Sequence, residues 1–411
     1  MYGWLKLCLT TALILAAGCA KKSPIGAQDI PGDRITGAGL YVDINPRYSH
    51  DGKQIAFLRQ TPDRKIQLHL SDSKLHRPVS LMASELLCPD RPYSATLARY
   101  NSPDTLAWSP DDRRIAFERI EWFTFDDGER LPGTGLWTFD LISGRVQPLA
   151  IHIEHYKSQF YYYHFASWSP DGRYIAFEGE GINGQRVIFT RPMFNSEARG
   201  TLPRFDNYED SDWPTWNPVL SKPEGSPSLC YRQSIFHPMA APPTDSIRLL
   251  SPGKTSETHS ELWRWSPRNG QSKKSLSLRP GHFSWEKSGQ RLAFTLTPDP
   301  IDYNKYEIWV IDRRTLKSKR VSPADGRGYL APVWIDDSYL GALRPRKDSY
   351  DVVTINIRSG HTKLLGSLPT SDCDWSPDRK HVVYAQPRSS GRPDLSEPTT
   401  LRILETNLED K

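Results

Sequence analysis

One ten-residue phrase recurs along this chain. Trp108-Ser109-Pro110-Asp111-Asp112-Arg113-Arg114-Ile115-Ala116-Phe117 returns as Trp168-Ser169-Pro170-Asp171-Gly172-Arg173-Tyr174-Ile175-Ala176-Phe177. A shorter copy, Trp375-Ser376-Pro377-Asp378, leads into Val382-Val383-Tyr384. Such repetition outranks local propensity, because each copied unit must bury its apolar face against the next copy.

With that template, weaker copies come into view. Tyr48-Ser49-His50-Asp51-Gly52 precedes Ile55-Ala56-Phe57, with Tyr for Trp and His for Pro. Trp285 opens a copy that keeps Gly289 and Leu292-Ala293-Phe294, and Trp334 opens a looser one ending in Leu340-Gly341-Ala342-Leu343. Trp216-Asn217-Pro218 heads the least regular copy, stretched by a Pro/Gly/Ser-rich insertion before Leu229-Cys230-Tyr231. The seven heads are spaced by 41 to 69 residues. A four-stranded propeller blade needs about 40–45 residues, so the longer spacings leave room for loops.

Each unit reads as strands. Ser-Pro-Asp-Gly is turn chemistry: Pro presets φ, Asp bonds nearby backbone and Gly accepts φ > 0. Ile-Ala-Phe is the next strand. A third follows at residues 135–140, 261–265, 307–312 and 351–355, rich in aromatic and β-branched residues. A polar turn and a fourth short strand complete the unit. The pattern argues for an all-β fold of antiparallel four-stranded units.

These residues resemble the WD40-like Trp-Ser-Pro-Asp repeat of TolB-like β-propellers and of prolyl-oligopeptidase-type propeller domains. The resemblance covers residues 40–411 and implies a propeller. Seven copies favour seven blades, with the six of TolB as the alternative. Few residues follow Leu401-Arg402-Ile403-Leu404, so an N-terminal strand around Ile35 to Val42 is expected to complete the last blade and seal the ring.

Residues 1–18 have the proportions of a signal peptide: Lys6, an apolar run from Leu7 to Ala17, and Ala16-Ala17-Gly18 before Cys19. Small residues before Cys resemble a bacterial lipobox, with Leu15 one position further out than usual. On that reading Cys19 is lipidated, Ala20 directs it to the outer membrane, and residues 19–39 form a tether. An ordinary cleaved signal or an uncleaved anchor is the alternative.

Two of the five cysteines fall in this leader, leaving Cys88, Cys230 and Cys373. No CxxC occurs, which argues against zinc. A Cys88–Cys373 disulfide between first and last blades is one pairing; buried free thiols are the other. The net charge of +5 is scattered, without a basic run interleaved with aromatics, so nucleic acid is not an expected partner.

Two stretches resemble chemical motifs by their letters. Gly179-Glu180-Gly181-Ile182-Asn183-Gly184 spells a dinucleotide fingerprint, but a strand-like Arg186-Val187-Ile188-Phe189 follows where a helix is needed, and Asn183-Gly184 suits a hairpin. No Gly-x-Ser-x-Gly elbow is present, which counts against a peptidase. Glu209-Asp210-Ser211-Asp212 lacks the pattern of a calcium loop and reads as a solvated loop.

Better candidates come from position. Residues three to five places before each head lie near the mouth of a propeller's channel: Asp43, Asn45, Asp104, His164, Asp212, His282 and Asp372. Carboxylates and imidazoles there could take a metal or polar ligand, although strand alternation would turn about half of them away. A Tyr-rich stretch with Tyr161, Tyr162 and Tyr163, read as a loop entering the third blade, and Trp122-Phe123 in the preceding blade's loop are candidate interface anchors. The alternative for the Tyr stretch is strand packing between blades.

The leading expectation is a lipid-anchored, periplasmic, monomeric propeller. It acts as a non-enzymatic scaffold for envelope proteins, Tol-Pal-like partners among them, and uses no cofactor. The short stretch between Cys19 and the first blade leaves no counterpart of TolB's N-terminal domain, so TolB's contacts do not transfer wholesale. A binding protein for a small ligand, glycan or peptide at the axial funnel is the second expectation. A propeller lyase or hydrolase is the third.

Overall fold

The computed structural model describes residues 41–61, 66–76, 78–82, 106–124, 130–150, 160–181, 186–193, 199–200, 209–220, 227, 229–238, 255–266, 270–276, 279–297, 305–315, 317–387, 399–406 and 408. Its elements are β-strands. The first sheet is β1 (Val42–Tyr48), β2 (Gln54–Gln60), β3 (Ile66–Asp72) and β4 (Val79–Ser80). The second is β5 (Leu106–Trp108), β6 (Arg114–Thr124), β7 (Arg130–Asp140) and β8 (Val146–Ala150). The third holds β9 (Phe160–Trp168), β10 (Tyr174–Gly181), β11 (Arg186–Pro192) and β12 (Arg199–Gly200).

The fourth sheet is β13 (Glu209–Trp216), β14 (Leu229–Pro238), β15 (Thr255–Ser266) and β16 (Gly270–Leu276). The fifth is β17 (Arg279–Trp285), β18 (Arg291–Thr297), β19 (Glu307–Asp312) and β20 (Ser318–Arg320). The sixth is β21 (Leu330–Trp334), β22 (Tyr339–Pro345), β23 (Tyr350–Asn356) and β24 (Thr362–Leu368). The closing sheet is β25 (Cys373–Trp375), β26 (His381–Pro387) and β27 (Thr399–Glu405).

All pairings are antiparallel between strands adjacent in sequence. The expectation of seven four-stranded blades is therefore corrected to the alternative of six: six sheets have four strands, and the Trp375 copy has three among the described residues. Among the described residues no strand follows β27. Thr406 is tied to the template turn instead, its N–H to Lys380 O at 2.8 Å and its Oγ1 to Arg379 O at 2.7 Å. The irregular Trp216 copy, by contrast, builds a full sheet. The sealing strand expected at Ile35 to Val42 lies mostly outside the described residues, and Val42 itself begins β1.

The sheets stack face to face, and the repeat explains how. In β2, Ile55 and Phe57 pack with Val383, Ala385 and Leu401 of the closing sheet. Ala56 and Leu58 pack with Leu106 and Trp108 of the second. Alternate residues of one strand thus face opposite neighbours, and all are buried because both faces are covered. The same division recurs at Ala116, grouped with Tyr163 and Trp168, and at Ala293, grouped with Trp334 and Leu340. The middle position must stay small because the next head ring lies over it: a Cβ on Gly341 would sit 2.6 Å from the Trp375 ring.

Four heads also make a polar bond across the junction. In each, the indole Nε1 donates to the carbonyl just before the previous head: Trp108 to Arg47 at 3.0 Å, Trp168 to Ala107 at 3.1 Å, Trp216 to Ser167 at 2.8 Å and Trp334 to Ser284 at 2.9 Å. Trp285 breaks this series: its buried Nε1 has no partner.

The turns behave as their letters imply. Ser49, Ser109, Ser169 and Ser376 each donate Oγ to the Asp two residues on, at 2.6–2.7 Å. Gly52, Gly172 and Gly289 take φ of 67–71°. The conspicuous letters of the repeat are structural.

Candidate functional site

The residues upstream of each head sit on an irregularity that strand alternation alone does not reveal. In β1, β9, β13, β17 and β21 the pairing with the next strand shifts by one residue just before the head. Three places before the head, Asn45, Phe165, His282 and Ala331 adopt φ of 46–53°. A bulge inserts one residue and inverts which side chains face which way upstream of it. Left-handed backbone at non-glycine residues costs roughly 1–2 kcal/mol each, so the surrounding sheets must hold it. The closing sheet pairs regularly over Cys373–Trp375 and has no such bulge in its described register.

The predicted polar residues fall into separate environments. Asp43 is 2% exposed and forms a forked ion pair with Arg59, its cross-strand partner, at 2.7 and 2.9 Å. The Arg59 guanidinium also lies over the Tyr41 and Phe57 rings. His164 is equally buried, and its Nδ1 lies 3.1 Å from Glu118 of the second sheet. Glu178, also buried, is its cross-strand partner on β10. His282 Nδ1 lies 3.2 Å from Thr295 Oγ1. Asp212 stands opposite Arg232 in the β13–β14 register. Asp104 lies outside the described residues. Among the described residues, no group of three or more His, Cys, Asp or Glu side chains could hold a metal.

Two predicted residues do meet, at the seam between the closing sheet and the first. Asp372 Oδ2 accepts the Asn45 N–H at 2.8 Å. Two residues on, Asp374 Oδ2 accepts the Tyr48 N–H, also at 2.8 Å. Arg47 donates Nη1 to Pro46 O at 2.7 Å and reaches Cys373 O at 3.5 Å. Burial raises both carboxyls above their ordinary range, although Arg47 and the accepted amides pull the other way. Burial, reinforced by the two flanking carboxylates, pushes the Cys373 thiol up to about 12. That thiol is free, which corrects the Cys88–Cys373 pairing.

Arg59, Glu118, Glu178, Arg47 and Asp374 were absent from the sequence reading. Counting back along the antiparallel partner strand would have found Arg59, because Asp43 and Arg59 are equally distant from the turn once the bulge is allowed for. A second such cluster also escaped it. Buried Asp351 takes Arg344 at 2.6 Å, Arg346 at 2.7 Å and Ser367 Oγ at 2.8 Å. Burial alone would raise the Asp351 carboxyl; these three donors hold it below its ordinary value.

The aromatic candidates are strand residues, not loop residues. Tyr163 is 1% exposed, edge-on to Phe177 and Phe189 at 5.9 and 6.4 Å, so it is core. Trp122 and Phe123 lie in β6 opposite Pro132 and Leu131, and Tyr161 and Tyr162 lie in β9. The acidic run 209–212 likewise belongs to β13 and is not a loop. These strands extend further than the apolar pattern suggested because ladder pairing continues through polar and aromatic positions alike. Gly179 opens no dinucleotide loop; a Cβ there would meet Phe189 at 2.6 Å.

No family model matches the chain, and no curated protein matches it. Solved structures do. An oligogalacturonate lyase from Vibrio parahaemolyticus is 12% identical, with 92% of this chain and 94% of that one covered and a TM-score of 0.55. A prolyl endopeptidase is 12% identical, with 90% and 51% covered and a TM-score of 0.53. TolB from Acinetobacter baumannii is 14% identical, with 81% and 64% covered and a TM-score of 0.40. The likeness is one of fold. The chain is a β-propeller that spans about half of the prolyl endopeptidase, and its structural neighbours serve unrelated chemistries, so the fold itself assigns none.

Proposed function

We propose that this protein is a lipid-anchored β-propeller of the cell envelope, residues 40–411 on a tether from Cys19, that holds partner proteins and performs no chemistry itself. One observation carries the scaffold reading. Strand β6 starts at the template turn and runs to the opposite face, where β9 begins. Among the described residues, β6 and β7 pair with each other through Thr124 and Arg130, past Phe117, where the pairing with β5 ends. Trp122 and Phe123 on these strands, and Tyr161 and Tyr162 at the start of β9, fall at the strand ends away from the template turns. Aromatic-rich strand ends on one side of a propeller have the composition of an interface anchor.

In the same reading the closing sheet seals the ring directly against the first sheet. Thr399 N donates to Tyr41 O at 3.1 Å, and Thr399 Oγ1 to Asp43 O at 2.6 Å. The chain thus arrives at β1 beside the start of β27. The tether would then leave from the seam.

A second reading, a small polar ligand at the axial mouth, is favoured by His164, which meets Glu118 across the junction of the second and third sheets. Crosslinking in the native envelope, followed by mass spectrometry, tests the scaffold. Enriched envelope proteins support it, and recovery at background levels contradicts it. Fatty-acid labelling lost in Cys19→Ser tests the anchor. Thermal stabilisation by a metal or saccharide, abolished in His164→Ala and His282→Ala, would favour the second reading.

A further inference from the structure

We propose that the seam between the closing sheet and the first blade is a carboxylate latch, Asp372 and Asp374 on the amides of Asn45 and Tyr48, that loosens as pH rises and makes this junction the ring's opening point. Four other junctions are fastened by a neutral indole on a carbonyl. Here the head is Tyr48, and two side-chain carboxylates hold main-chain N–H groups instead. Ionised acceptors make strong bonds, but only while burying a charge remains tolerable.

Asp372 and Asp374 stand two residues apart, on the same side of the strand, so two like charges face one interface. Asp372 Oδ1 is buried and accepts no hydrogen bond. The groups facing the pair are Arg47, Asn45 and Tyr48 from β1, Arg379 and Asp378 from the turn after β25, and Tyr384 across from Cys373 on β26. Arg47 is shared with backbone carbonyls, and burial lowers the Arg379 guanidinium from its ordinary range, although it stays charged. A single proton on the pair removes one buried charge, while each carboxyl keeps an oxygen on its amide. Both carboxyls are raised by burial in the folded state. Their contribution is therefore fully present below the unfolded value and is lost as pH climbs through the folded one.

Cys373 lies between the two acids and serves as a built-in reporter. The full chain is alkylated with iodoacetamide across pH, the Cys373 peptide is followed by mass spectrometry, and each rate is divided by that of the urea-unfolded chain. Protection of Cys373 should fall about tenfold between about pH 5 and about pH 8. Hydrogen exchange at Asn45 and Tyr48, corrected for intrinsic rates, should accelerate in parallel while Ala107 and Trp168 do not. In Asp372→Asn/Asp374→Asn, protection should be high and flat. Protection that is constant or increases with pH in the native chain overturns the proposal, as does an Asn variant with the native slope. If that variant does not fold, the native chain's two series decide alone.

Discussion

The Asp112 carboxylate grips the turn of the preceding blade at His50, accepting its N–H at 2.7 Å and lying 2.9 Å from its Nδ1; it also takes the Asp51 N–H at 2.8 Å. His50 stands where the Trp108, Trp168, Trp216 and Trp375 copies have Pro, and Asp112 stands where the Tyr48, Trp168 and Trp285 copies have Gly. Elsewhere the two letters meet without a polar bond: Gly172 lies against Pro110, and Gly52 against Pro377. Proline has no N–H to offer and glycine has no side chain to receive one. The two departures from the template are therefore one compensated change across a blade junction.

A double-mutant cycle tests this. His50→Pro or Asp112→Gly alone should cost about 1–2 kcal/mol, since each strands a partner. The double variant, which restores the common Pro–Gly junction, should lie nearer the native stability than the sum of the singles, with a coupling of about 1 kcal/mol or more. Additive denaturation midpoints would show the two positions to be independent.

The indole bonds predict a contrast between two heads. Trp168→Phe loses the bond to Ala107 O, whereas Trp285→Phe loses none, because its Nε1 has no partner. Urea denaturation should show Trp168→Phe costing about 1 kcal/mol more than Trp285→Phe.

Gly341 should accept no side chain. Its Cβ would enter the Trp375 ring, and the strand between two packed sheets has nowhere to shift. Gly341→Ala should destabilise by about 1–3 kcal/mol, as overpacking does.

Acid should act on Asp351 with the opposite sign to the seam. Its carboxyl is lowered in the fold, so its contribution is present above the unfolded value and is lost as pH falls through the folded one. Asp351→Asn should cost about 3–5 kcal/mol near neutrality, since it strands Arg344 and Arg346, and progressively less in acid. A deficit independent of pH would contradict the assignment.

The architecture was legible because its signal is repeated. Trp, Pro, Asp and Gly at fixed places perform the same packing in each blade, so each copy corroborates the others. The site was far less so. Asp43 and Asp372 were found by counting back from the head, but the bulge at Asn45, Phe165, His282 and Ala331 has no letter of its own: four different residues adopt one backbone shape. Arg59 and Asp374 were missed because their roles depend on register and on a seam between residues more than 300 apart in sequence. Tyr163 looked like its neighbours in sequence, and nothing in the letters marked it as a core residue.

The most direct measurement of the scaffold account places a photo-crosslinking residue at Trp122 or Tyr161, and as a control at exposed Ile142 on the opposite face. In the native envelope, Trp122 and Tyr161 should give discrete, shared adducts with an envelope protein, and Ile142 should not. Equal adducts from all three positions, or none from Trp122 and Tyr161, would contradict it.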